Sequence, residues 1–341
     1  MNRAHSTPEL LRVRDLKKYF PVRKGMWRRV WGQVKAVDGV SFHINEGETL
    51  GLVGESGSGK TTLGRCINRL YQSTTGTIEM RIDGKTFDIT AARRGELKEI
   101  RRNIQMIFQD PYSSLNPRLT IGDIIQEPLI IHGIGTREER RLRAEELLDK
   151  VGLDKNQMNR YPHQFSGGQR QRVGVARALS ISPRLLICDE PVSALDVSIQ
   201  AQVLNLLADL QKEYNLALLF IAHDMSVVEY ISDRVMVMYL GKIAEVAPSD
   251  VIYQQPRHPY TEALLSAIPK PGIGSSEDRI ILEGNIPDPA NPPPGCPFHT
   301  RCLYAQEICR TEVPVLHALP ENPDAFVACH FYEELSLRGF E

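Results

Sequence analysis

The sequence predicts an α/β fold: a parallel sheet covered on both faces by helices, carrying a helical insertion and a small irregular tail. Three observations carry that expectation. Short, nearly continuous apolar runs at 49–53, 185–190, 217–224 and 234–240 alternate with helical patterns, as strands buried on both faces do. A glycine-rich loop at 54–62 joins the first of these runs to a helical stretch. From about 110 to 165 the texture becomes helical and then returns to α/β alternation.

Composition bounds the problem. A chain of 341 residues suggests about two domains at ~150 residues each. Hydrophobic content of 42% and charged content of 24% suit a globular protein with a sizeable core. A net charge of −1 gives no global attraction to nucleic acid. The first ten residues lack the apolar stretch of a secretion signal. The longest apolar run, 216–222, is far too short to span a bilayer. These features describe a cytosolic-type chain, with any membrane link made through a partner.

In chain order, 11–20 and 37–44 alternate apolar and polar residues and read as strands. Between them, 21–35 holds both tryptophans and five basic residues. Trp27, Val30, Trp31 and Val34 fall at i, i+3, i+4, i+7, which allows two readings. One is a helix face lying near lipid headgroups or a partner subunit. The other is a hairpin excursion whose tryptophans cover the protein's own sheet, since Gly25 and Gly32 bracket a stretch short for a stable helix. A strand at 49–53 and a helix at 62–70 flank the glycine-rich loop. Residues 77–90 read as a hairpin turning at Asp83-Gly84, and 101–109 as a strand ending in Gln109. Residues 110–117 form a loop and 119–164 a helical region, in which Ala144, Leu147, Leu148 and Val151 make an apolar stripe stopping at Gly152. Strand 185–190 and helix 197–213 follow, the helix with a stripe of Ile199, Val203, Leu206, Leu207 and Leu210. Strands then end at His223 and Leu240. The expected organisation is a domain over 1–250, with its insertion at about 110–165, and an extension over 251–341. That extension opens with a short helix at 261–268, a flexible link at 272–276 and five prolines between Pro287 and Pro294.

The chemistry begins at Gly54-Glu55-Ser56-Gly57-Ser58-Gly59-Lys60-Thr61-Thr62, which fits G-x-x-x-x-G-K-[ST]. Glycines let successive N–H groups turn inward at phosphate oxygens, and a helix N-terminus adds its positive end. Lys60 is placed to reach the β/γ-phosphates and the Thr61 hydroxyl to ligate Mg²⁺. With a strand before and a helix after, the motif implies binding of a nucleoside triphosphate. Asp189, closing an apolar strand, is a candidate to hold Mg²⁺ through water, and Glu190 a candidate general base. An Asp-Glu pair after a strand is equally the pattern of a helix N-cap. Gln109 and His223 also end predicted strands, where a lone histidine is commonly structural. Ser166-Gly167-Gly168 opens a helix with bare backbone amides, a second anion site. Two phosphate-binding helix starts in one chain imply that each completes the other's site across a dimer.

Over residues 10–250 the chain resembles the ATP-binding cassette (ABC) transporter family. Residues 54–62 resemble Walker A, Gln109 the Q-loop, and 185–189 Walker B followed by Glu190. Phe165-Ser-Gly-Gly-Gln169 resembles the signature with Phe for the usual Leu, Ser193-Ala-Leu-Asp196 the D-loop, and His223 the switch histidine. The resemblance implies a RecA-like P-loop NTPase core with an antiparallel β subdomain and a helical insertion. It implies ATP and Mg²⁺ as ligands, with Phe20, or Tyr19 beside it, stacking on adenine. Gly54, Ser56, Gly57, Gly59, Lys60, Thr61 and Thr62 then cradle the phosphates, and Thr61, Gln109 and Asp189 serve the magnesium. Ser166, Gly167, Gly168, Gln169 and Asp196 face the partner's nucleotide, while Lys60, Glu190 and His223 are catalytic.

Six cysteines divide unevenly. Cys66 and Cys188 lie in apolar elements and read as small core residues. Cys296, Cys302, Cys309 and Cys329 are spaced C-x5-C-x6-C-x19-C. A reducing compartment disfavours disulfides, and zinc usually takes at least one tight C-x2–4-C knuckle, absent here although His299, His317 and His330 lie nearby. Four thiolates at wider spacing can cage a [4Fe–4S] cluster, and four unligated buried thiols are the plain alternative. Arg257-His-Pro-Tyr-Thr261, the proline tract and these cysteines resemble the C-terminal extension of oligopeptide and dipeptide importer ATPases, which implies the cluster, with zinc as the alternative. The Trp/Arg-rich segment resembles the F-type ATPase of such importers, which pairs with a D-type ATPase. The resemblance implies an ATP-hydrolysing subunit at the cytoplasmic face of the cell membrane. Its partners are two permeases, a second ATPase and an extracytoplasmic solute-binding protein, with no nucleic acid. A related importer of oligosaccharides or other solutes, or a soluble ABC ATPase acting on DNA or ribosomes, is the alternative; the latter usually carries two cassettes or a long coiled coil, and this chain has neither.

Overall fold

The computed structural model describes residues 8–24, 29–110, 114–269 and 279–340. The chain divides into two compact units, each drawn from several stretches: Met1–Arg12, His43–Glu48 and Glu79–Ile221 in the first, and Val13–Phe42, Thr49–Ile78 and Ala222–Glu341 in the second.

The first unit is built on three parallel strands, β6 (Ile104–Ile107), β7 (Leu185–Asp189) and β8 (Ala217–Ile221). Their register runs Ile104↔Leu185 and Leu185↔Ala217. Every residue of β7 and β8 is buried, which explains runs with no polar alternation. Helices α2 (Arg94–Asn103), α3 (Ile121–His132), α4 (Arg137–Lys150), α5 (Gly167–Leu179) and α6 (Val197–Tyr214) belong to the same unit. The insertion's helices carry their own start signals. Thr120 accepts from the Asp123 N–H ahead of α3, and Thr136 and Glu139 form a reciprocal capping box on α4. Ala144, Leu147 and Leu148 are buried and the helix ends before Gly152, as their spacing predicts.

Two boundaries and one apolar stripe differ from expectation. Residues 101–103 finish α2, so the strand expected from 101 begins at Ile104. Buried Ile100 anchors that helix while Arg101 and Arg102 occupy its last turn, where cations suit the helix dipole. The strand expected to reach His223 stops at Ile221. On α6 the buried stripe is Val203, Leu204, Leu207 and Leu210, with Ile199 and Leu206 only half-buried.

In the second unit, β3 (Thr49–Val53) runs parallel to β9 (Arg234–Tyr239), with Leu50↔Arg234 and Val53↔Val237 in register. From β9 the chain turns at Leu240-Gly241, both at positive φ, into antiparallel β10 (Lys242–Pro248). Helix α1 (Lys60–Ile67) follows the loop after β3, and α7 (Met225–Ile231) precedes β9. Asp224 starts α7 by accepting from the Ser226 N–H. Helices α8 (Ser249–Gln254), α9 (Pro259–Ser266) and α10 (Glu307–Thr311) follow. A strand pair that the sequence pattern does not announce closes the unit. β12 (Asn322–Val327) pairs with β10 through Glu245↔Val327, and β11 (His317–Leu319) pairs with β12. Pro323 and the polar Asn322 and Asp324 conceal β12, yet Ala325 and Val327 are fully buried.

At the N-terminal end, β1 (Glu9–Lys24) and β2 (Arg29–Asn45) are longer than expected. The helix reading of the Trp/Arg-rich segment is not met: 29–34 is strand, and Trp31 is 74% exposed, so it does not cover the sheet. Trp27 lies outside the described residues, as does the expected link at 272–276. The hairpin β4 (Thr75–Ile82) to β5 (Lys85–Asp88) turns at Asp83-Gly84 with φ of 49° and 78°. Two positive φ values give the turn a twist that matches the strands. Among the described residues no helix is long and apolar enough to cross a membrane.

Glu245 shows how the C-terminal residues attach. Its buried carboxylate accepts the backbone N–H groups of Arg257 (2.7 Å) and His258 (3.0 Å), setting the turn that opens α9. Burial pushes the carboxyl up to about 7 against the opposing pull of those N–H groups.

Two predictions follow from this packing. Phe220, fully buried in β8, leaves a large cavity when truncated, so Phe220→Ala is expected to cost about 3–5 kcal/mol in urea denaturation. A raised carboxyl value means neutral Glu245 stabilises the fold below its unfolded value of 4.5, and that contribution fades as pH rises through about 7. Glu245→Gln stays neutral. Between about pH 5 and pH 8 it is expected to lose less stability than wild type, by on the order of 1–3 kcal/mol. Equal pH dependence in the two proteins would disprove this role.

Candidate functional site

The phosphate loop lies wholly in the second unit. Buried β3 delivers the chain to Gly54, and the loop ends where α1 begins at Lys60. Gly54 (φ 149°) and Gly59 (φ 104°) are required twice over. A Cβ on Gly54 would sit 2.2 Å from the Met238 carbonyl oxygen, and one on Gly59 2.1 Å from that of Ala36. Lys60 is 4% exposed, and its ammonium donates to the carbonyls of Gly54 (2.6 Å) and Glu55 (3.0 Å) and to Ser58 Oγ (3.4 Å). The lysine therefore spans the loop it belongs to. Ser56 and Gly57 are exposed at its crest, while Thr61 and Thr62 are half-buried in the first turn of α1.

Glu55 is held at both ends. Its N–H donates to Tyr260 Oη (2.8 Å), and its carboxylate accepts both terminal guanidinium nitrogens of Arg301, at 2.6 and 3.0 Å. This pairing with Glu55 raises the Arg301 value further above its ordinary range. Tyr260 packs with Tyr239 and Phe298 at ring distances of 4.8 and 5.2 Å.

In the first unit, Asp189 ends β7 with 1% exposure, and Glu190 leaves the strand at φ 47°. A non-glycine residue in that region carries strain of order 1–2 kcal/mol. The Glu190 N–H donates to the Ile221 carbonyl (3.0 Å) and Ser193 Oγ to the Glu190 carbonyl (3.1 Å), and together these hold the turn. Gln109, exposed beyond β6, donates through Nε2 to the Glu190 carboxylate at 2.8 Å. Ser166 caps α5: Oγ accepts the Gln169 N–H (3.3 Å) and Gln169 Oε1 accepts the Ser166 N–H (3.0 Å). Ser166 is exposed, Phe165 is buried beneath it, and a Cβ on Gly168 would meet Ile199 at 2.5 Å. The helix thus presents an open N-terminus suited to an anion.

Comparison with known proteins bears on this geometry. The model of the ABC transporter family matches residues 37–193, and that of the oligopeptide/dipeptide transporter C-terminal region matches 244–309. The oligopeptide transport ATP-binding protein AppF of Bacillus subtilis is 55% identical over 326 residues, 95% of this chain and 97% of its own. The chain belongs to the ABC transporter family. A putative peptide import ATP-binding protein of Brucella ovis is 53% identical over 94% of this chain and 97% of its own. Among solved structures, a dimeric ATP-binding cassette bound to ADP and Pi has a TM-score of 0.61 at 30% identity, covering 70% of this chain and 99% of its own.

The other residues that sequence reading singles out from the ABC pattern are placed as follows. Phe20 is half-buried, edge-on to Tyr71 at 5.5 Å, with the Lys18 ammonium 4.7 Å from its ring centre. Tyr19 donates its hydroxyl to Asp38 instead of standing free beside it. Asp196 is the exposed N-cap residue of α6, and His223 is exposed two residues beyond β8. Gln109 and Glu190 are brought together; Phe20, Lys60 and His223 belong to the second unit and Asp189 and Asp196 to the first.

The metal-cluster expectation for the tail is corrected. Among the described residues no group of three or more His, Cys, Asp or Glu side chains is placed to hold a metal ion, which removes both the [4Fe–4S] and the zinc reading of Cys296, Cys302, Cys309 and Cys329. The four thiols line a space of about 20 Å³, room for one water, shared with Phe298, Phe331 and Leu335. Burial in that apolar setting pushes Cys296 up to about 11 and Cys302 up to about 12, and raises Cys329 also.

Sequence reading missed Glu55, Tyr260 and Arg301. Tyr260 lies inside the quoted Arg257–Thr261 motif, but nothing in the linear order connects it to the phosphate loop 205 positions away.

One prediction arises here. Glu190→Gln keeps the hydrogen-bonding shape beside Gln109 and loses the carboxylate. With partner subunits present it is expected to bind ATP while turnover falls by about a thousandfold, read by phosphate release. Normal turnover would rule out Glu190 as the base.

Proposed function

We propose that this chain is the ATP-hydrolysing subunit of a membrane importer for oligopeptides or dipeptides. The observation that carries this reading is the match of both the cassette and the C-terminal region, with relatives aligned over almost the whole chain. Two cassettes close head-to-tail, and the Ser166-Gly167-Gly168 helix start of one, exposed at Ser166, with Gln169 and Asp196 nearby in the fold family's pattern, faces the nucleotide held by the other. In heterodimeric assemblies the partner is a second ABC ATPase of the D-type. Two permease subunits hold the pair at the cytoplasmic face of the cell membrane, and an extracytoplasmic solute-binding protein delivers the peptide.

Within each site, the loop from Gly54 to Thr62 binds the phosphates through its inward N–H groups, and Phe20 stacks against adenine. Lys60, now folded onto the Gly54 and Glu55 carbonyls, has the charge and reach for the β/γ-phosphates. Thr61, Gln109 and Asp189 are the donors suited to magnesium, a hard cation that takes oxygen ligands. Bound magnesium supplies charge neutralisation for phosphoryl transfer. Glu190 orients and deprotonates water, positioned by Gln109, and His223 contacts the γ-phosphate. Catalysis of this kind comes mainly from positioning and electrostatics.

A strain lacking this chain is expected to lose uptake of labelled tri- to pentapeptides, with uptake restored by the wild-type chain and not by Lys60→Ala. Unchanged peptide uptake together with loss of oligosaccharide uptake would move the substrate class to the related importers.

A further inference from the structure

We propose that Arg301 and Tyr260, from the C-terminal extension, are positioning residues for ATP that hold the phosphate loop through Glu55. The inference rests on the reading of 54–62 as an ATP loop and adds a partner for that loop from outside the cassette motifs.

Glu55 is an acidic residue in the loop assigned to the anionic triphosphate. An unpaired carboxylate there repels the phosphates, and the repulsion is strong where solvent is partly excluded. Arg301 answers it with a bidentate fork, the geometry in which a guanidinium neutralises a carboxylate most completely. Arg301 has a 7% exposed side chain against 26% for Glu55, so the guanidinium is shielded from salt and water while the carboxylate is half-buried. The second contact fixes a peptide: with the Glu55 N–H committed to Tyr260 Oη, the Gly54–Glu55 peptide points its other end, the Gly54 carbonyl, at Lys60 Nζ, 2.6 Å away, and the Glu55 carbonyl accepts from the same ammonium at 3.0 Å. The path Arg301–Glu55–Lys60 thus joins the extension to the ammonium that neutralises the phosphates.

The extension is built to seat this arginine. Arg301 N–H donates to the Phe298 carbonyl (3.0 Å), and the Phe298 ring lies 5.2 Å from both Tyr239 and Tyr260. His299 N–H donates to the Cys296 carbonyl (3.1 Å) and Cys296 N–H to that of Cys309 (2.8 Å). The cysteine-lined turns therefore fix a short loop whose aromatic anchor presents Arg301 to the phosphate loop.

The test uses the full chain, with ATP titrated into the isolated protein and KM measured with its partner subunits. Arg301→Gln is expected to weaken ATP binding and raise KM about tenfold with little change in kcat, because it exposes the phosphates to the Glu55 charge. Tyr260→Phe keeps the packed ring and is expected to lose about threefold. Adding Glu55→Gln to Arg301→Gln removes the repulsion and is expected to restore affinity to within about threefold of wild type. A purely structural pair would show no such rescue. Wild-type affinity in Arg301→Gln, or a double variant as weak as the single, would overturn the proposal. Absence of ATP binding by the wild-type chain would overturn the nucleotide reading itself, a distinct result.

Discussion

Glu55 sits where two demands on the phosphate loop meet. The backbone must wrap tightly enough to turn its amides on an anion, which Gly54 and Gly59 permit by letting the carbonyls of Met238 and Ala36 approach. The charges must also be settled before a highly anionic ligand arrives. Lys60 has its ammonium on the loop's own carbonyls, and Arg301 takes the one acidic side chain of the loop. Neither basic residue is left to solvent, so the loop is organised by the same groups that set its potential. Buried, bidentate pairing suits this purpose because breaking it leaves an uncompensated charge.

The second unit's construction serves the same end. β9 supplies Met238 and Tyr239, β10 supplies the buried Glu245 that fixes the turn into α9, and α9 supplies Tyr260. β12 then adds to β10, placing the C-terminal residues on a sheet whose other strand pair, β3 and β9, leads into the loop. In the first unit the equivalent economy is local. Ser166 and Gln169 cap one helix with their own side chains, and Gln109 and Glu190 meet across adjacent parallel strands. The left-handed backbone of Glu190 turns the chain out of β7 at the residue proposed to orient the attacking water, and the hydrogen bonds of its N–H and carbonyl hold that turn.

The cysteines show how spacing misleads when burial is unknown. C-x5-C-x6-C-x19-C looks like a ligand set in one dimension, and the fold does bring the four sulfurs to one small space. What decides the chemistry is the surroundings. Phe298, Phe331 and Leu335 line that space with the sulfurs, and burial there raises Cys296, Cys302 and Cys329. The same four residues then act as packing for the turns that carry Arg301.

The sequence by itself determined the α/β alternation, the phosphate loop with its flanking strand and helix, the hairpin at Asp83-Gly84 and the capped helices of the insertion. Each of these is set by neighbours within a few residues: apolar periodicity, glycines at positive φ, and side chains that bond their own backbone. Tertiary structure alone decided the rest. Residues 101–103 became helix because Ile100 found a buried site, and β12 became a strand despite Pro323 because β10 offered an unpaired edge. The meeting of Glu55 with Tyr260 and Arg301 spans 205 and 246 positions. Contacts of that range leave no local pattern, since they depend on which buried surfaces the folded sheet brings together.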